Sequence, residues 1–289
     1  MKKIYGILLV LALCLGTASV TAAQDQSALM PPPKVLTVVR EVLKPGKSGS
    51  AHERSETAFV RAMAAAKSTD YYIALDSLSG PSRTLFLSGS SSFADWEKTH
   101  RAEEANATLS SALDRAAAVD GDLLQTYESS TYLFNPEQSN ETGNLVGVRL
   151  FEIEVFTLKP GHEADWDAIV KLVKPALAKA KPEDHWAMYD RMYGGVNAAV
   201  VIRTLKSAEE IDRGIADNPK FAAAMGEEGM KQLSALSASA IESSQSNLFV
   251  INPRMSYVGP ELIAADPFWK VARTAPAAER KKAEEKPAQ

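Results

Sequence analysis

The chain has 289 residues, 45% of them hydrophobic and 24% charged, and a formal net charge of −4. That is enough apolar sequence for one large core or two modest ones, and a mildly acidic balance gives no electrostatic reason to bind nucleic acid or an anionic membrane surface. The single cysteine, Cys14, falls in a leader-like start, so disulfides, thiolate nucleophiles and cysteine-ligated metals drop out for the rest of the chain.

Residues 1–23 read as a secretory signal peptide. Lys2 and Lys3 form a positive start, Ile4 to Val20 is mostly apolar, and Val20-Thr21-Ala22-Ala23 offers small residues for cleavage. Leu13 stands before Cys14 where a lipoprotein signal has a small residue, so no lipid anchor is expected. Cleavage removes the two lysines and takes the formal charge from −4 to −6. No later stretch approaches the roughly 20 apolar residues of a membrane span. The expected product is exported, periplasmic or extracellular, with no membrane attachment after cleavage. Residues 24–34, with the run Pro31-Pro32-Pro33, read as a stiff linker.

A first unit is predicted over 35–140. A strand over Val35 to Val42 is closed by the corner Leu43-Lys44-Pro45-Gly46, in which Pro presets a turn angle and Gly accepts positive φ. Phe59, Ala62, Met63 and Ala66 then recur at helical spacing. Strands over Tyr71 to Leu78 and Thr84 to Ser88 form a hairpin at Gly80-Pro81. Ser92 followed by Asp95 opens a second helix. A last strand, about Thr131 to Phe134, ends at Asn135-Pro136.

A second unit over 145–258 reads the same way. Its strand Leu150 to Thr157 meets the corner Leu158-Lys159-Pro160-Gly161, and its helix carries Trp166, Ile169, Val170 and Val173 on one face. Pro175 is expected to end or kink that helix. Strands His185 to Tyr193 and Ala198 to Arg203 turn at Gly194-Gly195. Ser207 and Glu210 fit a capping box, Asn218-Pro219 breaks the helix that follows, and Asn247 to Ile251 ends at Asn252-Pro253. Residues 259–289 form a C-terminal extension that becomes, from Thr274, a disordered tail of Ala, Pro, Glu and Lys.

Shifted by 115 residues, the first corner lands on the second and Leu85-Phe86-Leu87 on Val200-Val201-Ile202. A shift of 114 matches Tyr72, Asp76 and Gly80 to Trp186, Asp190 and Gly194. A shift of 117 matches the two Asn-Pro pairs. The ordered series points to an internal duplication. The expected fold is α+β: two tandem ferredoxin-like βαββαβ units paired sheet to sheet as a pseudo-dimeric α/β barrel, each covering the other's bare sheet.

The duplicated unit, its Leu43-Lys44-Pro45-Gly46 corner and the post-hairpin helix with Trp96 resemble the dimeric α/β-barrel superfamily over about 34–258. That group includes the antibiotic-biosynthesis-monooxygenase-like and NIPSNAP-like domains. The resemblance implies the fold, with units paired by two chains or by duplication, and a homo-oligomer is compatible with it. It implies no single activity, since members include cofactor-free oxygenases, haem-degrading enzymes and isomerases.

Four histidines, His52, His100, His162 and His185, show no metal-ligand spacing such as H-x-x-x-H, and neither a metal nor a cofactor is expected. Trp96 and His100 share a helix face, but their context does not match the haem pockets of the resembled group. Arg40 and Glu41 read as edge charges in an apolar strand. The most polar-aromatic stretch runs from His185 to Tyr193. Period two puts His185, Tyr189, Arg191 and Tyr193 on one face, while Glu152 and Glu154 share a face of their own strand. If both faces look into the closed pair, these six residues could orient a small polar or aromatic ligand. They could equally satisfy a polar sheet–sheet interface. No G-x-S-x-G elbow or phosphate-cradling glycine loop is present, and no catalytic residue is assigned. The leading expectation is a protein that binds a small aromatic or apolar molecule. The alternatives are a cofactor-independent monooxygenase-like enzyme, with Tyr189, His185 and Arg191 holding and ionising a substrate, and a purely structural or interaction module.

Overall fold

The computed structural model describes residues 31–140 and 144–271. The leader, most of the linker and the tail after Thr274 lie outside them. In chain order the elements are β1 (Val35–Leu43), α1 (Ser50–Ala66), β2 (Tyr72–Ser77), β3 (Arg83–Ser90), α2 (Phe93–Ala105), α3 (Ala107–Asp120) and β4 (Leu124–Phe134). They continue with β5 (Leu150–Leu158), α4 (Glu163–Ala180), β6 (Ala187–Tyr193), β7 (Ala198–Leu205), α5 (Glu209–Ala216), α6 (Asn218–Ala240), β8 (Ile241–Ile251) and α7 (Pro260–Ala265). The eight strands close one antiparallel barrel in the order β1-β3-β2-β8-β5-β7-β6-β4. The expected α+β barrel is therefore formed, but as one continuous sheet. The halves meet edge to edge, β2 on β8 and β4 on β6, and share one interior core. Closure leaves no bare face inside and pairs off all four edge strands, two from each half.

Each Lys-Pro-Gly corner folds alike. Gly46 and Gly161 take φ of 76° and 81°, and Lys47 N and His162 N donate to Lys44 O and Lys159 O at 3.0 and 3.2 Å. These are turns with Pro at the second position and Gly where φ must be positive. Each corner lysine also donates through Nζ to a carbonyl near the end of the last helix of its half, Lys44 to Asp122 O and Lys159 to Ala238 O. Gly194 is fixed by crowding as well as by its φ of 85°, since a Cβ there would run into the Ser129 carbonyl.

Two helical expectations need correction. Pro175 neither ends α4 nor breaks it: the helix runs through to Ala180, whose side chain is buried with Ala176. Packing of that last turn outweighs the loss of one backbone hydrogen bond. Ser92 caps α2 by accepting from Asp95 N at 3.1 Å, but α5 is capped at Ala208 with no side-chain cap, and Glu210 Oε1 accepts from Lys206 N, not from the Ser207 N–H that a capping box would use.

The interior core joins Leu36, Leu85, Phe151, Ile202 and Phe249 from strands of both halves. Outside the second half, Trp166 and Ile169 of α4 pack on Trp186, Met188, Ala199 and Val201. Outside the first half the apolar cluster is smaller, Val60, Met63, Leu109 and Tyr257. The C-terminal extension is folded as far as Trp269. Leu262 and Trp269 join the interior core, and Asp266 accepts two hydrogen bonds from Arg149 at 2.8 and 3.1 Å. Arg149 holds the Asp266 carboxyl below its ordinary range.

The ends of β4 and β8 cross to the opposite half in matching ways. Asn135 N donates to Met188 O and Asn252 N to Ala74 O, both at 2.9 Å. Their side-chain amides donate to Asp190 Oδ2 at 2.9 Å and Asp76 Oδ2 at 2.8 Å. Ser139 and Ser256 then accept from Met188 N and Ala74 N. Asp76 and Asp190 are thus the receivers of two reciprocal latches.

Candidate functional site

A cavity of about 640 Å³ opens at the end of the barrel where β1 begins. Its wall is mainly aliphatic and aromatic, with Leu36, Ile73, Leu87, Phe134, Phe151 and Ile202 from strands of both halves, and Pro31, Pro32 and Pro33 lie along it. Two of the predicted residues line it. Tyr189 is buried, stacks obliquely on Phe134 with ring centres 5.5 Å apart, and donates its hydroxyl to Pro33 O at 3.2 Å. Burial pushes its phenol well above the ordinary range, so it serves as a hydrogen-bond donor and not as an ionised base. His185, just before β6, presents a buried Nδ1 with no hydrogen-bond partner.

The other four predicted residues are not brought to this cavity. Arg191 points inward but lines a second hollow, of about 470 Å³, at the opposite end. There its guanidinium donates to Tyr132 Oη at 3.2–3.3 Å and to Val196 O. Tyr193 is 62% exposed and meets Phe93 edge to face. A register shift between Thr131 and Tyr132 lies where β4 pairs with this part of β6. Glu152 and Glu154 belong to the outer face, because Phe151, Ile153 and Val155 of the same strand take the interior. Glu152 pairs there with Arg203 at 3.3 Å. Period two kept Tyr189 with Arg191 and Glu152 with Glu154, but the register shift turns Tyr193 to the outer face, away from Arg191, and alternation could not say which face of β5 turns inward.

Arg40 and Glu41, read as edge charges, both face something specific. Arg40 lies at the second hollow and pairs with Glu128 at 3.1 Å. Glu41 turns the other way, under α1. There it meets His52 and Glu56, one turn apart on α1, and Asp120 at the end of α3. The four side chains are 6%, 1%, 4% and 2% exposed, and one ligand atom from each lies within 4.8 Å of the others. His52 Nε2 is 2.9 Å from Glu41 Oε2, 3.7 Å from Asp120 Oδ1 and 3.9 Å from Glu56 Oε1. Ser55 donates to Asp120, and Thr84 Oγ1 donates to Asp76 Oδ1 at 2.7 Å while standing 3.4 Å from His52 Nδ1. Burial raises Glu41 and, more strongly, Glu56, whose carboxyl is lifted further by the charges of Glu41 and Asp120. Linear spacing missed this group because its members come from three elements. The one local signal, His52 and Glu56 at i and i+4, appears only when mixed His/Glu pairs are considered. Trp96 and His100, by contrast, merely stack on each other at 5.3 Å, with Trp96 partly exposed. Among the described residues no helix is long and apolar enough to cross a membrane.

No family model matches the sequence, and no curated protein matches it significantly. Solved structures do resemble the fold. An anthrone oxidase-like protein is 13% identical, covering 76% of this chain and 92% of its own, with a TM-score of 0.47. A protein of Fusobacterium nucleatum subsp. nucleatum, provisionally named a monooxygenase, is 11% identical over 77% and 94% of the two chains, TM-score 0.46. A variant chlorite dismutase from Candidatus Nitrospira defluvii is 11% identical over 80% and 96%, TM-score 0.45. Similarity this distant carries no argument about the chemistry of the site.

Proposed function

We propose that this chain binds a small apolar or aromatic molecule in the cavity at the β1 end of the barrel. The observation that carries the reading is the cavity itself: about 640 Å³ of largely aliphatic and aromatic wall, with the Tyr189 hydroxyl and the unpartnered His185 Nδ1 as its polar points. That volume falls within the roughly 300–1,000 Å³ of small-molecule sites, and a few polar groups in an apolar wall are what orient a ligand. N-phenyl-1-naphthylamine, a small apolar fluorophore, tests it. One equivalent should bind with enhanced emission, and Ile202→Trp, which fills the hollow, should abolish the signal while circular dichroism stays unchanged. A flat titration with the wild type would sink the reading.

His185 favours a second reading, a monooxygenase-like enzyme needing no cofactor. An imidazole whose buried Nδ1 has no partner is placed to take a proton from a phenolic substrate, while Tyr189 donates a hydrogen bond. Oxygen uptake with a panel of phenols, lost in His185→Gln, checks it; uptake unchanged in that variant removes His185 from the role.

We also infer that the two halves descend from one duplicated ferredoxin-like unit. The support is the repeated element order, the strand order β4-β1-β3-β2 mirrored by β8-β5-β7-β6, and the paired latches. The proposed setting is outside the cytoplasm, on the strength of the leader alone.

A further inference from the structure

We propose that Glu41, His52, Glu56 and Asp120 form a closed site for one divalent first-row metal ion. The site is distinct from the barrel cavity and stands independently of it. Three observations converge on it. Three carboxyl groups and one imidazole lie together between sheet and helices, each at least nine-tenths buried. Carboxyl groups buried together must take up protons or a cation, and a lone imidazolium balances only one carboxylate. Glu56 Oε1 is buried, points into the group 3.9 Å from His52 Nε2 and accepts no N–H or hydroxyl hydrogen bond; the one side-chain bond open to this carboxyl is to Asp120, when it carries a proton. The separations of 2.9–3.9 Å from His52 Nε2 bracket the roughly 3.4 Å between ligands held tetrahedrally at about 2.0–2.2 Å.

The imidazole is also oriented for the task. Thr84 donates its hydroxyl hydrogen bond to Asp76, so its oxygen is left to accept from His52 Nδ1–H. Nε2 is then the atom turned towards the carboxylates, the arrangement a metal-bound histidine takes when its other nitrogen is held by an outer partner.

The second half shows that the fold does not need these charges. Glu41 pairs with Thr84 across β1 and β3, one residue before the β1 bulge; Phe156 pairs with Ala199 across β5 and β7, one residue before the β5 bulge. Phe156 packs on Trp166 at 5.0 Å, and Ile169 is buried beside it. The same layer is thus filled by apolar packing in one half and by a donor set in the other. Oxygen and imidazole donors without thiolate suit Zn²⁺ or Mn²⁺. With every member buried and neither cavity reaching the group, the ion would tie β1 to α1 and α3 and hold no open position for a substrate.

The test uses the whole chain, stripped with a chelator and returned to Zn²⁺ or Mn²⁺ alone. One ion per chain is expected by elemental analysis, with a rise in Tm of roughly 5–10 °C at saturating ion. X-ray absorption should show one imidazole nitrogen among oxygen ligands. Glu56→Gln, nearly the same shape, should lose the ion and the Tm rise while remaining folded, and His52→Gln should do the same if it folds. Asp165→Asn, which alters the exposed His162–Asp165 pair, should keep both. A wild-type chain with well under one ion and the same Tm with and without chelator overturns the proposal. So does a Glu56→Gln, His52→Gln double variant that still holds a full equivalent, since the ion then binds elsewhere. Binding of N-phenyl-1-naphthylamine is read on the same samples, so the cavity and the metal site can fail separately.

Discussion

At the residue scale, the molecule places its most perturbed acids where no linear pattern marks them. Glu41 sits in a strand and Asp120 at a helix end, 79 residues apart, and only the packing of α1 and α3 over β1 joins them to His52 and Glu56. This burial has a pH consequence. The Glu41 and Glu56 carboxyls are raised above their ordinary value of 4.5, by burial first. The native state therefore holds protons that the unfolded chain has released. Without metal, their contribution to stability is complete below the unfolded value and is lost as pH rises towards the native one. In chelator, Glu56→Gln removes the Glu56 share of that loss. The variant should gain on the wild type as pH rises above the ordinary carboxylate value of 4.5, read as the difference in Tm. With Zn²⁺ present the order should reverse, because only the wild type keeps its ion. A difference that stays flat across this range would mean Glu56 titrates as an ordinary carboxylate.

At the element scale, much of the chain announced itself. Both Lys-Pro-Gly corners, the hairpins at Gly80 and Gly194 and the first strand of each half follow from turn chemistry and alternation, which are local. The last strands did not. β4 and β8 are 11 residues each, more than twice the apolar stretches that marked them, because their first halves are exposed and rich in Ser, Thr, Gln and Glu. Those polar segments are strands only because β1 and β5 hydrogen-bond along their whole length. The corners, by contrast, carry their own cost and benefit. A Cβ at Gly161 would meet nothing within 4 Å, so Gly161→Ala isolates the price of positive φ. It should destabilise by about 1 kcal/mol and lower Tm by roughly 2–4 °C. Gly46→Ala should match it, since its φ and its surroundings are the same. A neutral result at both would show that the turns relax into another type.

At the scale of the whole molecule, the barrel is held shut by strands that each half lends to the other. Asn135 from the end of β4 reaches Asp190, and Asn252 from the end of β8 reaches Asp76, so neither half completes its own hydrogen bonding. With one interior core shared between them, unfolding of one half exposes the apolar face of the other. A single cooperative transition in denaturant is expected, as for one domain. Asn135→Ala removes a donor from the half-buried Asp190, whose carboxyl burial already raises, and should lift it further. The loss should cost about 1–2 kcal/mol, below the full value of a hydrogen bond to a charged group because water reaches part of the site. Asn252→Ala should cost less, because Asp76 keeps its bond from Thr84. Both variants should shift the single midpoint with the slope unchanged, and the double variant should show nearly the sum, within about 0.5 kcal/mol. If the halves were separate bodies in contact, Asn252→Ala would move one of two transitions and leave the other in place. A biphasic curve in that variant would therefore show that edge pairing, and not a common core, is all that joins them.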